Sequence, residues 1–273
     1  MLVNSHTLWQ QRGTMAQTVL ELKNVSKRYP LAPGSSLEAQ GRIAAIDNVS
    51  LSLAAGQIYG FAGLNGAGKT TSIKAALGLI QPDSGSIELF GAPIDAAAFN
   101  QIGFCPEKPV FYETLTASEI IDFSGRLLNV TVDASRKKQI LERVGLYDDR
   151  HKRVAAFSKG MQQRLGIACA MLHDPALYIL DEPASGLDPL GRRLVKDILL
   201  ELKQAGKTVF FSTHIISDIT EICDKIAIIH NGQILYEGAV DEFCPGHKNG
   251  EERFIKIIQD YDSKAAAAKC SVR

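Results

Sequence analysis

The sequence predicts an α/β fold with a mixed β-sheet whose core strands are parallel. Short apolar runs, typical of strands buried on both faces, recur along the chain and are separated by segments with helical spacing. The earliest strands pair locally, which indicates a smaller antiparallel β part at the N-terminus. Helical patterns then follow one another from about residue 108 to 172 without an intervening strand. This stretch predicts an α-helical insertion in the α/β core.

The composition is that of an ordinary globular chain. Its 273 residues are 45% apolar and 22% charged, enough for a sizeable core in one large domain with a subdomain. We expect a disordered lead-in at residues 1–17, a folded domain at 18–243 and a polar tail at 244–273. The formal net charge is zero, so the chain as a whole gives no electrostatic reason to expect nucleic acid as a partner.

Several features predict a cytosolic protein. No run approaches the length of a membrane span, and the first residues lack the apolar centre of a signal peptide. The five cysteines are widely spaced and form neither a CxxC pair nor a disulfide framework, which suits a reducing compartment. Cys169 lies in an apolar helical stretch, where a core position is expected rather than thiol chemistry. Any membrane contact is expected to come through partners.

The first part of the chain predicts two strands. Residues 18–25 and 43–53 alternate between apolar and polar side chains, as half-buried strands do. Residues 31–41 between them are polar and contain glycine and serine, so they predict a surface loop.

A glycine-rich loop at residues 63–71, GLNGAGKTT, gives the first functional signal. It follows an apolar strand pattern at 58–62 and precedes helical spacing at 72–80, the context in which GxxxxGK[ST] indicates a phosphate site. The glycines allow successive N–H groups to point into one hollow, and the helix start adds its positive dipole end. Lys69 supplies a mobile charge for the β- and γ-phosphates of ATP, and the Thr70 hydroxyl is placed to ligate Mg²⁺. The predicted ATP-binding loop consists of Gly63, Leu64, Asn65, Gly66, Ala67, Gly68, Lys69, Thr70 and Thr71.

The segments after this loop alternate between strand and helix patterns. Strand patterns occur at residues 86–90, 102–107, 176–180, 208–211, 226–229 and 233–236. Asn231 and Gly232 separate the last two and predict a two-residue hairpin. The tail from Cys244 shows no usable pattern beyond a short helix at 265–268.

Two helix starts carry recognisable caps. Thr116 and Glu119 have the T-x-x-E form of a capping box. Asp188 followed by Pro189 combines a good N-cap with proline at the first helical position.

Asp181 and Glu182 follow a short, continuous apolar strand pattern. A carboxylate at the carboxyl end of a buried strand is where other P-loop NTPases hold their metal, so Asp181 is the predicted Mg²⁺ ligand. Side chains alternate along a strand, so Glu182 is expected to point elsewhere and to act as general base or water-orienting group.

Together these stretches resemble the ATP-binding subunits of ABC transporters. The resemblance covers about residues 18–240 and includes five motifs in the family's order. They are residues 63–71, 157–164 (FSKGMQQR), 180–183 (LDEP), 185–188 (SGLD) and His214. It implies the ABC ATPase fold, which has a RecA-like core, and ATP hydrolysis in a head-to-tail dimer with a separate membrane permease.

The resemblance also implies roles for individual residues. Ser158 and Gly160 would complete the partner chain's ATP site, and a physical reason supports this: a serine that opens a helix forms an anion site. Tyr29 would stack on adenine. His214 would contact the γ-phosphate and hold Glu182 and the attacking water, whereas His151, His173 and His230 are expected to be structural.

Two departures from the family pattern carry information. The stretch at 157–161 reads FSKGM where LSGGQ is usual, so Ser158 and Gly160 are retained and Lys159 adds a cation. Glu107 stands where the family usually has a glutamine that touches Mg²⁺, and a carboxylate is also a hard Mg²⁺ ligand. The FSKGM signature and the glutamate at position 107 both resemble those of exporter ATPases of the ABC-2 and multidrug type. Such ATPases pair with separate six-helix permeases.

Four other functions fit the sequence less well. A soluble ABC-type ATPase on ribosomes or nucleic acid is disfavoured by the single cassette and the absence of basic excess. An importer ATPase is disfavoured because importers usually keep the LSGGQ signature, whereas this chain has FSKGM. A GTPase or kinase would leave residues 158–164 unexplained and lacks an NKxD motif. A non-catalytic subunit conflicts with the presence of Lys69, Asp181 and Glu182. The active dimer can consist of two copies or of this chain and a paralogue.

Overall fold

The structure, a computed structural model, describes residues 17–30, 42–247 and 249–270. The lead-in before Gln17 and the predicted surface loop at 31–41 lie outside the described residues. The strands are β1 (Thr18–Pro30), β2 (Arg42–Ala54), β3 (Ile58–Ala62), β4 (Ser84–Leu89), β5 (Ala92–Pro93), β6 (Ile102–Cys105), β7 (Leu177–Asp181), β8 (Thr208–Thr213), β9 (Lys225–His230) and β10 (Gln233–Ala239). The α-helices are α1 (Lys69–Ala76), α2 (Ala96–Phe99), α3 (Ala117–Leu127), α4 (Ala134–Arg143), α5 (Lys159–Ala170), α6 (Pro189–Gln204), α7 (Ile216–Ile222), α8 (Val240–Phe243) and α9 (Gly250–Cys270). Of these described helices, none combines the length and apolar character needed to cross a bilayer.

The strands form two sheets. An antiparallel sheet has the order β2-β1-β4-β5, and a six-stranded sheet has the order β10-β9-β3-β8-β7-β6. In the larger sheet, neighbouring strands from β9 to β6 are parallel and β10 is antiparallel to β9. The predicted mixed sheet with a parallel core, and the antiparallel part at the N-terminus, are thereby confirmed.

The six-stranded sheet is covered on both faces. Strands β3 and β7 are buried at every position, as their continuous apolar sequences predict. On one face, Tyr59, Phe61 and Phe210 pack toward the antiparallel sheet, with ring centroids 5.4–5.7 Å apart in the touching pairs. Helix α1 packs on this same face, through Ile73, Ala75 and Ala76. The helical insertion and helices α6, α7 and α9 pack on the other face. The carboxyl ends of β3, β7 and β8 therefore meet at one edge of the sheet, between its two apolar layers.

The helical insertion contains α3, α4 and α5. Its first helix begins at the predicted capping box, in which Glu119 N donates to Thr116 Oγ1 at 3.2 Å and Thr116 N donates to Glu119 Oε2 at 2.8 Å. Cys169 packs against the main core as expected, and burial raises the pKa of its thiol to about 11. This thiol therefore stays protonated at neutral pH.

The C-terminal segment forms a long helix, so the expectation of a patternless tail is wrong. Helix α9 has 21 residues, where a short helix at 265–268 was expected. Phe254 and Ile258 are 5% and 7% exposed and join the main core from one face of α9. The signal was weak because the apolar residues are confined to the first turns and the rest of the helix is polar or alanine.

Candidate functional site

The glycine-rich loop turns at the carboxyl end of β3 and leads directly into α1. Gly66 and Gly68 have φ angles of 79° and 112°, in the left-handed region that glycine adopts without strain. A Cβ atom on Gly68 would lie 2.6 Å from the carbonyl oxygen of Ala45, so β2 leaves no room for a side chain. Helix α1 begins at Lys69, earlier than the spacing at 72–80 indicated. Its first N–H groups therefore belong to the loop and face its hollow.

The side chain of Lys69 spans this loop. Its Nζ atom donates to the carbonyl oxygens of Gly63 at 2.7 Å and Leu64 at 3.2 Å. The same atom lies 3.1 Å from Oε1 of Glu182. The ammonium group is thus held over the loop between two carbonyl groups and one carboxylate.

Asp181 ends β7 and is 2% exposed. The Thr70 hydroxyl donates to its Oδ2 atom at 2.8 Å, and the Ser212 hydroxyl donates to its Oδ1 atom at 2.5 Å. Thr70 and Asp181 thereby bring together two hard oxygen donors, the type that Mg²⁺ prefers. Within the described residues there is no cluster of three or more His, Cys, Asp or Glu that could hold a metal. Such a pair fits Mg²⁺, which is usually held by one or two carboxylates together with substrate phosphates and water.

Glu182 has an unusual backbone conformation for a side chain of its size. Its φ angle is 49°, which costs on the order of 1–3 kcal/mol in a residue other than glycine. The N–H of Glu182 donates to Ser212 Oγ at 2.9 Å, which helps to hold this conformation. His214 Nδ1 donates to Glu182 Oε2 at 2.9 Å. The Glu182 carboxylate is therefore oriented by a histidine and an ammonium group while it is 7% exposed.

One cleft of about 350 Å³ gathers most of the predicted residues. It is lined by Ala45, Leu64, Asn65, Gly66, Ala67, Gly68, Lys69, Thr70, Thr71, Glu107, Glu182, Ser185 and His214. Asp181 lies behind the Thr70 hydroxyl. Tyr29 is not part of this lining; it lies near the end of β1 opposite Ile43 and is 39% exposed.

Ser158 and Gly160 line a separate cleft. Ser158 is the N-cap of α5, and its Oγ atom accepts a hydrogen bond from Met161 N at 3.2 Å. This second cleft also contains Lys159, Gly186 and Asp188, the last of which caps α6 as predicted. In one chain, the helix start at Ser158 and the glycine-rich loop therefore do not share a binding cavity.

Sequence reasoning missed two supporting residues. Ser212 bonds both Asp181 and the backbone of Glu182, and the register of β7 and β8 pairs it directly with Asp181. Gln163 is 1% exposed and its Nε2 atom donates to the carbonyl oxygen of Pro106 at 3.4 Å, next to Glu107. A polar residue at the end of an otherwise apolar strand was the available signal for Ser212, whereas Gln163 gave none.

The chain is similar to known proteins over most of its length. A family model described as ABC transporter matches residues 46–185. The chain is 40% identical over 256 residues to the bacitracin transport ATP-binding protein BcrA of Bacillus licheniformis, which covers 91% of this chain and 77% of BcrA. A solved ATP-binding subunit of an ABC transporter has a TM-score of 0.74 and 31% identity, covering 88% of this chain and all of that one. The dimeric ATP-binding cassette MJ0796, in a post-hydrolysis state with ADP and Pi, has a TM-score of 0.69 and 23% identity. The match covers 81% of this chain and 98% of MJ0796.

Proposed function

The chain belongs to the ATP-binding subunits of ABC transporters, and we propose that two copies of it close on ATP and reopen after hydrolysis to drive a separate membrane permease. The observation that carries the proposal is the convergence of Lys69, Glu182 and His214 on one cleft beside the glycine-rich loop. A phosphate-binding lysine next to an oriented carboxylate is the arrangement that hydrolysis of a terminal phosphate requires.

The loop at residues 63–71 would bind the phosphates of ATP. Its N–H groups and the start of α1 supply positive potential, and Lys69 exchanges its carboxylate partner for the β- and γ-phosphates. Thr70 and Asp181 would hold Mg²⁺, with Glu107 as a further oxygen donor at the rim of the cleft. Bound Mg²⁺ would neutralise charge that develops on the phosphates.

Glu182 would orient and deprotonate the attacking water. Its carboxylate is bound by His214, whereas the oxygens of Asp181 accept from Thr70 and Ser212, so the two acidic groups have different partners and separate tasks. His214, whose side chain is 41% exposed, would also reach the γ-phosphate. Tyr29 would stack on the adenine ring, with its exposed ring available to a base.

The second ATP contact would come from a partner copy. Ser158 and Gly160 lie at a helix N-terminus that opens onto a different cleft from Lys69, which a head-to-tail arrangement of two chains would explain. MJ0796, which has a similar fold, forms a dimer with bound ADP and Pi, and this supports pairing of two chains around the nucleotide.

The proposed partner in the membrane is a separate permease, and the proposed direction is export. The FSKGM form of the signature, Glu107 and the similarity to a bacitracin transport protein support an exporter. The helical insertion and the loop at Glu107 would be the docking surface. The chain would then lie on the inner face of the cell membrane.

Purification from native membranes tests this function. Tagged Glu182→Gln chain, solubilised in detergent with ATP and Mg²⁺, is expected to carry a polytopic membrane protein with it. The matched control is the same variant with Lys69→Ala, which cannot close on ATP and is expected to recover less of the permease. Recovery only from the soluble fraction, with ribosomes or nucleic acid or alone, would contradict the proposal. The recovered permease would identify the direction and the class of cargo.

A further inference from the structure

The turn between β9 and β10 contacts the back of the glycine-rich loop. The N–H of Gly232 donates to the carbonyl oxygen of Ala67 at 2.9 Å, and the carbonyl oxygen of Gly232 accepts from Asp47 N at 2.8 Å. Gly232 has a φ angle of 78°, and a Cβ atom on it would lie 3.0 Å from the carbonyl oxygen of Ala45. The turn therefore packs tightly between the glycine-rich loop and β2.

This contact determines how one loop peptide is oriented. The peptide group between Ala67 and Gly68 is planar and trans, so its C=O and N–H point in opposite directions. Because Gly232 engages the C=O at the back of the loop, the N–H of Gly68 is directed to the opposite side, toward the hollow. Gly232 therefore aims one of the N–H groups that would bind phosphate.

Helix α9 holds the two residues that flank this turn. His230 Nε2, on a ring that is 9% exposed, donates to Asp262 Oδ1 at 3.0 Å. On the other side, Tyr261 OH donates to Gln233 Oε1 at 3.2 Å, and Gln233 Nε2 donates to Asp47 Oδ2 at 3.1 Å. The rings of Tyr261 and His230 also meet edge to face, with centroids 5.6 Å apart. Tyr261 and Asp262, which are neighbours in α9, therefore bind the residues on both sides of the turn.

We propose that Tyr261 and Asp262 are positioning residues for the nucleotide site. They fix the turn, and the turn's Gly232 orients the peptide that presents Gly68 N–H to the phosphates. Neither residue touches the nucleotide, so the C-terminal helix sets affinity for nucleoside di- and triphosphates from a distance. This inference rests on the proposed binding of ATP at residues 63–71.

The competing explanation is that α9 only covers the core through Phe254 and Ile258. Binding and stability measurements on matched variants separate the two. Tyr261→Phe keeps the ring contact and removes one hydrogen bond, and Asp262→Asn weakens the other. Asp260→Asn removes an exposed charge from the same helix without touching the turn, and Ile258→Val weakens the core contact alone.

The experiment is isothermal titration of the full chain with ATP and with ADP, well below its melting temperature, together with urea unfolding. A net hydrogen bond is worth roughly 2- to 12-fold in an equilibrium constant, so the double variant Tyr261→Phe with Asp262→Asn is expected to bind both nucleotides about 5- to 50-fold more weakly. KM for ATP is expected to rise by a similar factor while kcat at saturation stays the same. Asp260→Asn and Ile258→Val are expected to bind as the wild type does.

Two outcomes would overturn the inference. One is a folded double variant whose Kd values lie within twofold of the wild-type values. The other is an Ile258→Val variant that loses as much affinity as the double variant, since weakened packing would then explain the effect. If the double variant does not fold, the single variant Tyr261→Phe and amide exchange at Gly232 provide the test. A wild-type chain that binds no ATP would refute the proposed function instead.

Discussion

The Nζ atom of Lys69 lies 3.1 Å from Oε1 of Glu182, and both side chains are more than nine-tenths buried. The two groups form an ion pair, but their atoms are not aligned as a hydrogen bond. The attraction offsets the cost of burying either charge alone. A phosphate group entering the loop would take over Lys69 and release Glu182, so nucleotide binding and preparation of the carboxylate are linked.

Replacing Glu182 with glutamine is expected to separate binding from chemistry. Glutamine keeps the size of the side chain but cannot accept a proton from water, so turnover is predicted to fall roughly 10²–10⁴-fold. ATP affinity is expected to be unchanged or higher, because Lys69 no longer has a carboxylate partner to leave. Phosphate release and ATP titration measure the two effects. Glu113→Gln, at an exposed position, serves as the control, and loss of ATP binding in Glu182→Gln would contradict the assignment.

Lys69→Met is expected to abolish ATP binding and to destabilise the chain. It removes the phosphate-binding charge and leaves the Glu182 carboxylate buried with His214 as its remaining partner. The loss of a partner from a buried pair suggests a decrease of roughly 3 kcal/mol in the free energy of unfolding. Urea unfolding and ATP titration are the measurements.

The double variant Lys69→Met with Glu182→Gln isolates the ion pair. It is expected to recover most of the stability that Lys69→Met loses, because no unpaired charge is left, while ATP binding stays absent. If the double variant is destabilised by the sum of the effects of Lys69→Met and Glu182→Gln, the ion pair contributes no coupling energy.

Ser212→Ala is expected to weaken the predicted metal site and the backbone of Glu182 together. The change removes the donor to Asp181 and the acceptor for Glu182 N, so the free energy of unfolding should fall by about 1–3 kcal/mol. The Mg²⁺ concentration for half-maximal ATPase activity should rise severalfold, since Asp181 is less well oriented. Ser217→Ala, at an exposed position, is the control. A normal Mg²⁺ requirement in Ser212→Ala would exclude this positioning role.

Most of the fold and of the candidate site follows from local patterns. The loop, Asp181 and Glu182 could be predicted because each has a local motif at the end of a buried strand. Ser212 could not be assigned before the register of β7 and β8 was known, because it acts across strands. Helix α9 was missed because its apolar residues are confined to the first turns, and its docking on His230 and Gln233 depends on polar side chains far apart in the sequence. The separation of Ser158 from Lys69 is a property of the folded chain that no local pattern contains.

His173 is expected to make the chain less stable in mild acid. Its Nε2 atom donates to the carbonyl oxygen of Ile102 at 3.0 Å, its Nδ1 atom is buried without a partner, and burial lowers the pKa of the imidazole below its usual 6.5. Asp174 raises this pKa and Lys207 lowers it, by smaller amounts. Below pH 6.5 the unfolded chain binds a proton that the folded chain resists, so stability falls as the pH decreases toward the folded-state pKa.

Unfolding by urea at pH 7.5 and pH 5 tests the role of His173. His173→Gln can keep a donor to Ile102 and cannot be protonated, so its stability should depend less on pH than that of the wild type. His151→Gln removes an exposed histidine and should leave the wild-type dependence intact. Parallel pH profiles for His173→Gln and the wild type would disprove the assignment.

Ser158→Asp is expected to block closure of the dimer without weakening the fold. Aspartate caps a helix about as well as serine does, so α5 should keep its N-cap and the free energy of unfolding should change little. Its negative charge would repel the γ-phosphate of a partner copy. ATP binding to the isolated chain should persist, because Ser158 is outside the cleft of Lys69, while ATPase activity should fall at least about 10²-fold. In the presence of ATP, light scattering should detect no dimer of the double variant that carries both Ser158→Asp and Glu182→Gln.

Mixing two inactive variants tests the head-to-tail arrangement directly. A heterodimer of Ser158→Asp and Lys69→Met chains contains one intact site, made from the Lys69 of the first chain and the Ser158 of the second. Its other site carries both defects. ATPase activity should therefore reappear on mixing and should depend on the ratio of the two chains, with a maximum near equal amounts. If both sites were built within single chains, the mixture would show no more activity than the separate variants.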